Sequence, residues 1–311
     1  MALPGTPVAW QHGCPAARYP GDNTKPDRDP YRGMSSVPFG VARLDSILGG
    51  GAPPGSVVLL AGESGAGARE FLYTSAAMNA LARTDRELFD LYYGDLPGDA
   101  ARVPAVHYIS FTAGEDALTR EMEYTLADDV VDAAVEGIDF RDLSPEFFQL
   151  SPVPREWYAG ETTTIADLGD HGRYDDVLTA FGDYLTEHAA GNVVCIDSVT
   201  DLVSVVSDDL AWSDIAMVMK GLKKAAARWQ GLILVLVNED SLTDQEFGTL
   251  MDAAGGTLQF AWESGGSKRA RTMFVREFRG VLSRLEAENI VRFETEVHDG
   301  GFDISDVRKI R

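Results

Sequence analysis

The stretch Gly62-Glu63-Ser64-Gly65-Ala66-Gly67-Ala68-Arg69 has the glycine spacing of a phosphate-binding loop without the side chains that do its chemistry. In the pattern Gly-x4-Gly-Lys-[Ser/Thr], backbone N–H groups cradle phosphate, the lysine bridges the β- and γ-phosphates, and the hydroxyl binds magnesium. Here Ala68 fills the lysine slot and Arg69 the hydroxyl slot. Ala68 can do neither job. Arg69 has a suitable charge, but guanidinium is bulkier than ammonium and cannot ligate magnesium. Gly62, Gly65 and Gly67 keep the cradle, while Glu63 adds a negative charge that is free to point outward. A second candidate is Asn192-Val193-Val194-Cys195-Ile196-Asp197-Ser198, four apolar positions ending in a carboxylate. A strand of this kind delivers an aspartate beside the loop, where it holds magnesium through water. The competing role for Asp197 is to cap the next helix, which also suits residues 198–201. A third candidate, Asn238, ends an apolar run; it could sense a γ-phosphate or simply cap a turn.

These residues need a scaffold that brings strand ends together. The loop follows the apolar run Ser56-Val57-Val58-Leu59-Leu60 and precedes the helical pattern Phe71-Leu72-Tyr73-Thr74-Ser75-Ala76-Ala77-Met78, the strand–loop–helix context that a phosphate loop requires. The pattern predicts strands at 57–60, 105–111, 147–150, 193–196, 232–237, 256–262, 272–278 and 288–295, closed by a short hairpin around His298-Asp299-Gly300-Gly301. Helices are expected at 68–84, 113–126, 174–189 and 214–229, the last capped by Ser213-Asp214 and ended by Gly231. Alternating strands and helices predict an α/β fold: a mainly parallel central sheet, helices on both faces and a C-terminal antiparallel extension. Residues 85–103 lengthen one connection. Residues 128–142, with Asp128, Asp129, Asp132, Glu136 and Asp139, read as an exposed amphipathic helix with a solvated acidic face. Residues 1–36, rich in Pro, Gly, Asp and Arg, read as a flexible leader, and 37–311 as one domain without internal repeats.

Composition narrows the function classes. The 311 residues carry a formal net charge of -22, and only six of the 27 Lys and Arg residues are lysines. With 45% apolar residues the chain can still support a core, so the acidity is a solvated surface, similar to that of proteins from salt-in halophiles. Such a surface disfavours nucleic acid as a partner. Cys14 and Cys195 make no disulfide framework, and neither has neighbours at zinc-ligand spacing. No apolar run approaches the roughly 20 residues of a membrane span. The N-terminus lacks an apolar signal core, so the expected location is cytoplasmic.

The segment Phe39-Gly40-Val41-Ala42-Arg43-Leu44-Asp45-Ser46-Ile47-Leu48-Gly49-Gly50-Gly51-Ala52-Pro53-Pro54-Gly55-Ser56 resembles the entry to the KaiC-like branch of the RecA superfamily of P-loop ATPases. The resemblance continues through the loop, Asp197 and Asn238 to Arg276-Glu277-Phe278-Arg279-Gly280, and spans roughly residues 37–311. It extends to archaellum-associated KaiC-like proteins and to halophile proteins labelled transducer-like. It implies a RecA-like P-loop domain, ATP or ADP as ligand and magnesium at Asp197. It also implies assembly as a ring or dimer, or with a related P-loop partner, with Arg279 as a finger toward the neighbour's nucleotide. The departures are as informative as the match. The family's paired glutamates after the second strand have no counterpart in Tyr108-Ile109-Ser110-Phe111-Thr112-Ala113-Gly114. Glu115 and Asp116 are displaced, and would replace them only if the loop rearranged; a helix N-terminal role suits them better. Glu277 stands where the family has a lysine.

Lysine, hydroxyl, paired glutamates and trans lysine are thus lost together. A single arginine finger is worth ~10³–10⁵ in rate, so hydrolysis should be lost or very slow. The leading expectation is a regulatory or assembly protein with a degenerate Walker A loop that binds nucleotide weakly or not at all. One alternative is an active ATPase in signalling or motility, with Arg69 serving the phosphates and Glu115 the water. Another is a recombinase-like nucleic-acid-binding protein using the basic run Lys268-Arg269-Ala270-Arg271 with Arg276, Arg279 and Arg284. That run is better matched to an acidic neighbouring subunit.

Overall fold

The computed structural model describes residues 36–98, 100–149, 151–158, 177–204, 211–263, 270–278, 281–282, 285 and 290–309. The entry segment forms α1 (Ala42–Leu48), fixed by a carboxylate that turns back on the chain. Asp45 Oδ1 accepts the Phe39 N–H at 2.8 Å, and Oδ2 accepts the Gly40 N–H at 3.0 Å and the Tyr93 hydroxyl at 2.9 Å. Asp45 is fully buried, and burial pushes its carboxyl up to about 7 against the pull of these donors. The first strand, β1 (Ser56–Gly62), is buried along its whole length. Its side chains alternate, Val58 and Leu60 entering one core and Val57, Leu59 and Ala61 the other.

After the glycine loop comes α2 (Ala68–Thr84), alanine-rich and buried on most of its circumference. It ends at Asp85, whose side chain accepts the N–H groups of Glu87 and Leu88 and so starts α3 (Arg86–Tyr92). The chain continues through β2 (Val106–Ser110), α4 (Glu115–Glu123), α5 (Asp128–Val135), β3 (Ile138–Asp142), α6 (Ser144–Phe148), α7 (Val177–His188) and β4 (Val193–Asp197). Then follow α8 (Val199–Ser204), α9 (Trp212–Trp229), β5 (Leu232–Asn238), α10 (Asp244–Ala253), β6 (Gly256–Glu263), β7 (Ala270–Phe278), β8 (Ile290–His298) and β9 (Gly301–Lys309).

The nine strands form one sheet in the order β3-β2-β4-β5-β1-β6-β7-β8-β9. From β3 to β6 every pair is parallel; from β6 to β9 every pair is antiparallel. The sheet separates two apolar cores. One packs α2 and α5 against the sheet, and the other packs α7, α9 and α10. Register decides the rest: Gly62 lies opposite Asn238, and Ser110 opposite Asp197. The loop, the aspartate and the asparagine therefore share the carboxyl rim of the parallel strands, where open α/β sheets bind ligands. The antiparallel extension is anchored onto α2 by Phe302, which packs edge-on to Phe71 and Phe260 at 5.3 and 5.6 Å. Its N–H donates to Thr74 Oγ1 at 2.8 Å.

Several expected elements differ. The expected strand at 147–150 is instead the end of α6, begun by Pro145 in its first turn; Leu150 lies outside the described residues. The single helix expected over 128–142 is α5 followed by β3, a half-exposed edge strand. The stretch 85–103 contains α3, and α10 arises between two expected strands where the sequence pattern predicts no element, started by a capping box between Thr243 and Glu246. The helix expected at 113–126 is confined to α4, and the described part of 174–189 holds α7. Ser213 does not cap α9; the cap position is Ala211, whose N–H Asp214 Oδ2 accepts at 3.1 Å. Helix α9 ends on Gln230 in the left-handed region, and Gly231 follows because a Cβ there would meet the Asn192 carbonyl at 2.3 Å. The short C-terminal hairpin is a long one, with nine residues in each of β8 and β9. The expected leader lies outside the described residues except for Ser36, which is buried and bridges to Ala100.

Candidate functional site

A cavity of about 250 Å³ lies over the glycine loop. Its wall is made by Gly62, Glu63, Ser64, Gly65 and Gly67, by Ala68, Arg69 and Glu70 at the start of α2, by Ser198 after β4, and by Leu236, Val237 and Asn238 of β5. Ala66 is buried beneath the loop rather than on the wall. Gly67 needs to be glycine on two counts: its φ is +115°, and a Cβ would come 3.0 Å from the Phe302 ring. The loop's outer side is clamped by the sheet. Trp262 Nε1 donates to the Ser64 carbonyl at 3.1 Å, and Arg271 Nε to the Gly65 carbonyl at 3.1 Å. The Arg271 guanidinium also stacks 5.3 Å from the Trp262 ring and pairs with Glu70 at 3.4 Å. Glu63 turns toward β6, its Oε2 accepting the Trp262 N–H at 3.4 Å.

The side chains below the cavity form a connected polar network. Arg69 Nη2 lies 3.0 Å from Asp197 Oδ1, and Arg69 Nη1 lies 3.4 Å from Glu121 Oε2. Tyr108 Oη donates to the other Asp197 oxygen at 2.8 Å, and Tyr73 Oη donates to Glu121 Oε2 at 2.5 Å. Asp197 is only 3% exposed, whereas the Arg69 side chain is 46% exposed, so the pair is buried at its acidic end and open at its basic end. Burial pushes the Asp197 carboxyl up; Arg69 and the Tyr108 hydroxyl pull it back without fully restoring it. Burial is the largest single influence on Arg69 and works against its charge, but Asp197 together with Tyr73 and Tyr108 more than offsets it and holds the guanidinium protonated. Burial likewise keeps the Tyr73 and Tyr108 phenols protonated, so both act as donors.

The other expected residues sort by position. Asn238 lines the cavity, but its Oδ1 accepts the Asp240 N–H at 3.2 Å, the turn-capping role, and its own N–H goes to Thr200 Oγ1 at 2.8 Å. Glu115 and Asp116 occupy the first turn of α4 and line a separate open hollow with Thr119, Arg120 and Val135, away from the loop cavity. Ser110 ends β2 as a cap: its Oγ accepts the Ala113 N–H at 3.1 Å. Residues 110–114 themselves supply no carboxylate. Arg279 lies outside the described residues, as do Lys268, Arg269 and Arg284. Of the basic run, Arg271 is engaged at the loop; Arg276 donates to Gln259 Oε1 at 3.1 Å and stacks on Phe247. Cys195 is buried within β4, and Cys14 lies outside the described residues.

Sequence reasoning missed Glu121, Tyr73, Tyr108 and Asp240. Asp240 Oδ2 accepts the Ser64 N–H at 3.0 Å, so a carboxylate from the β5 rim already takes one of the loop's amides. Tyr108 alone carried a readable signal, a phenol in a buried strand two residues before Ser110, which pairs with Asp197, and so on the same face as Asp197. Magnesium does not fit this donor set. The hydroxyl position holds Arg69, both Asp197 oxygens have partners, and no group of three or more His, Cys, Asp or Glu among the described residues could hold a metal ion. Among the described residues no helix is long and apolar enough to cross a membrane.

No family profile and no curated protein matches this chain. Among solved structures, the flagellar accessory protein FlaH from Methanocaldococcus jannaschii is 16% identical and covers 86% of this chain and 96% of its own, but at a TM-score of 0.49 it carries no argument. A KaiC-like protein from the hyperthermophilic archaeon Pyrococcus horikoshii is 14% identical, covering 88% of this chain and 100% of its own, with a TM-score of 0.57. At that identity the likeness establishes the architecture: this chain has a RecA-like α/β fold with an antiparallel C-terminal extension.

Proposed function

We propose that this chain is a KaiC-like P-loop protein that has given up most of its hydrolytic chemistry and works as a regulatory or assembly protein. The observation that carries this is the Arg69–Asp197 ion pair. It engages the carboxylate that a working site would turn toward magnesium. Three further features support it. Ala68 supplies no charge to the phosphates, Ser110 caps a turn where a carboxylate would activate water, and Glu115 lies outside the cavity. The glycine cradle persists, so ATP or ADP would be held weakly, by loop amides and Arg69. Asn238 retains a place on the cavity wall from which it could contact a terminal phosphate. The partner is a second copy, in a ring or dimer, or a related P-loop protein, in the cytoplasm of a salt-in halophile whose ionic strength suits a chain of net charge -22.

Phosphate release and light scattering, both in molar potassium chloride with magnesium, test this. The expected result is no turnover above buffer, with a mass that shifts on adding nucleotide or the partner. Steady turnover dependent on Asp197 would sink it.

A further inference from the structure

In a loop of this class the hydroxyl at position 69 and the strand-end aspartate meet through a divalent cation. In this chain the same two positions meet directly, with the guanidinium 3.0 Å from Asp197. The positive charge that a metal would bring is thus already attached to the chain, on a side chain that lines the loop cavity and is 46% exposed to solvent. The second contact of Arg69, to the half-exposed Glu121, is a longer 3.4 Å, so an arriving phosphate oxygen can displace it. Resting on the nucleotide-site reading above, we propose that Arg69 is a built-in replacement for the divalent cation. The loop then takes a metal-free polyphosphate, and magnesium weakens its binding.

The charge arithmetic explains the direction. Arg69 neutralises Asp197 and still presents N–H donors to the cavity, whereas Asp197 alone would set a buried carboxylate against a polyanion. A magnesium–polyphosphate complex brings a hydrated cation against a fixed guanidinium, and it engages the same oxygens that Arg69 would bind. Glu63, Glu70, Ser198 and Asn238 on the wall each already engage a partner, and Asp197 is paired at both oxygens, so that ion would have to displace an existing contact to gain a ligand.

The test titrates the full chain in molar potassium chloride with ATP and with inorganic tripolyphosphate, in EDTA and in excess magnesium, reading tryptophan fluorescence. Trp262 reports because its indole is bonded to Ser64 of the loop. Both ligands should bind more weakly with magnesium, by about threefold or more; binding of ATP but not tripolyphosphate would still support the proposal and add the nucleoside to the recognised chemistry. Arg69→Lys should keep metal-free binding, whereas the double variant A68K/R69T, restoring the lysine and the hydroxyl, should bind about tenfold more tightly with magnesium. Circular dichroism checks that each variant folds; if the double variant does not, the wild-type and Arg69→Lys titrations decide. Tighter wild-type binding with magnesium but no turnover would overturn the metal replacement and leave the loss of hydrolysis standing. Tighter binding with steady turnover would overturn both. Failure of both ligands to bind in either medium would overturn the proposal and the weak nucleotide binding, and leave the loss of hydrolysis standing.

Discussion

Replacing Arg69 by alanine should destabilise the fold in a way that depends on Asp197. Asp197 is 3% exposed, and it keeps only the Tyr108 hydroxyl when the guanidinium is removed. Breaking a buried ion pair by removing one partner costs about 3–5 kcal/mol. The 46% exposure of Arg69 lets solvent screen its end, which brings the expected loss to about 2 kcal/mol. For a domain of this size that is a melting-point drop of about 5 °C. Molar salt shortens the Debye length to about 3 Å, which weakens longer-range terms but not a contact whose acidic end is buried. The assay is a double-mutant cycle by urea unfolding in potassium chloride, using Arg69→Ala, Asp197→Ala and both together. The coupling should exceed about 1 kcal/mol, and Arg69→Ala should cost less when Asp197 is already alanine. The pH dependence has a definite sign. Without Arg69 the native Asp197 carboxyl moves further above its unfolded value, so the folded state binds the extra proton. The Arg69→Ala penalty therefore grows as pH rises through that range. Additivity within about 0.5 kcal/mol, or a penalty flat with pH, would refute the pairing.

Tyr108→Phe removes the other Asp197 partner and should cost about 1–2 kcal/mol by thermal unfolding, with little change in secondary structure. Asp45, pushed up to about 7, contributes stability at pH below its unfolded value that is lost as pH rises toward 7. The penalty of Asp45→Asn relative to wild type should therefore shrink between pH 5 and pH 7, by on the order of 2 kcal/mol in urea unfolding. Gly67→Ala forces a Cβ onto the Phe302 ring at φ +115° and should lower stability by about 1–3 kcal/mol, read as a lower melting temperature.

Much of the architecture was legible because the buried parallel strands are nearly pure apolar runs. The runs 193–196 and 232–237 lie inside β4 and β5, and α2 covers the expected residues, because its buried stretch from Phe71 to Ala82 is almost wholly apolar or small, with the charged Arg69, Glu70 and Arg83 at its two ends. Edge and surface elements were less legible. Strand β3 interleaves Asp139, Arg141 and Asp142 on a half-exposed edge, so its pattern merges with the acidic helix before it. Phe147 and Phe148 have strand-like character, yet the local signal of Pro145 begins a helix there. The site divides in the same way. The loop, Asp197 and Asn238 could be placed from strand ends alone, because parallel register brings those ends together. That Arg69 reaches Asp197, that Glu121 rather than Glu115 approaches it, and that Asp240 bonds Ser64 could not be read from spacing. Those contacts depend on side-chain reach across elements distant in sequence.

The most direct test is steady-state phosphate release from ATP with magnesium in molar potassium chloride, comparing wild type with Asp197→Ala at equal, confirmed folding. The account predicts that the two are indistinguishable from each other and from buffer. Sustained wild-type turnover that Asp197→Ala abolishes would contradict it, because the carboxylate paired to Arg69 would then be serving catalysis.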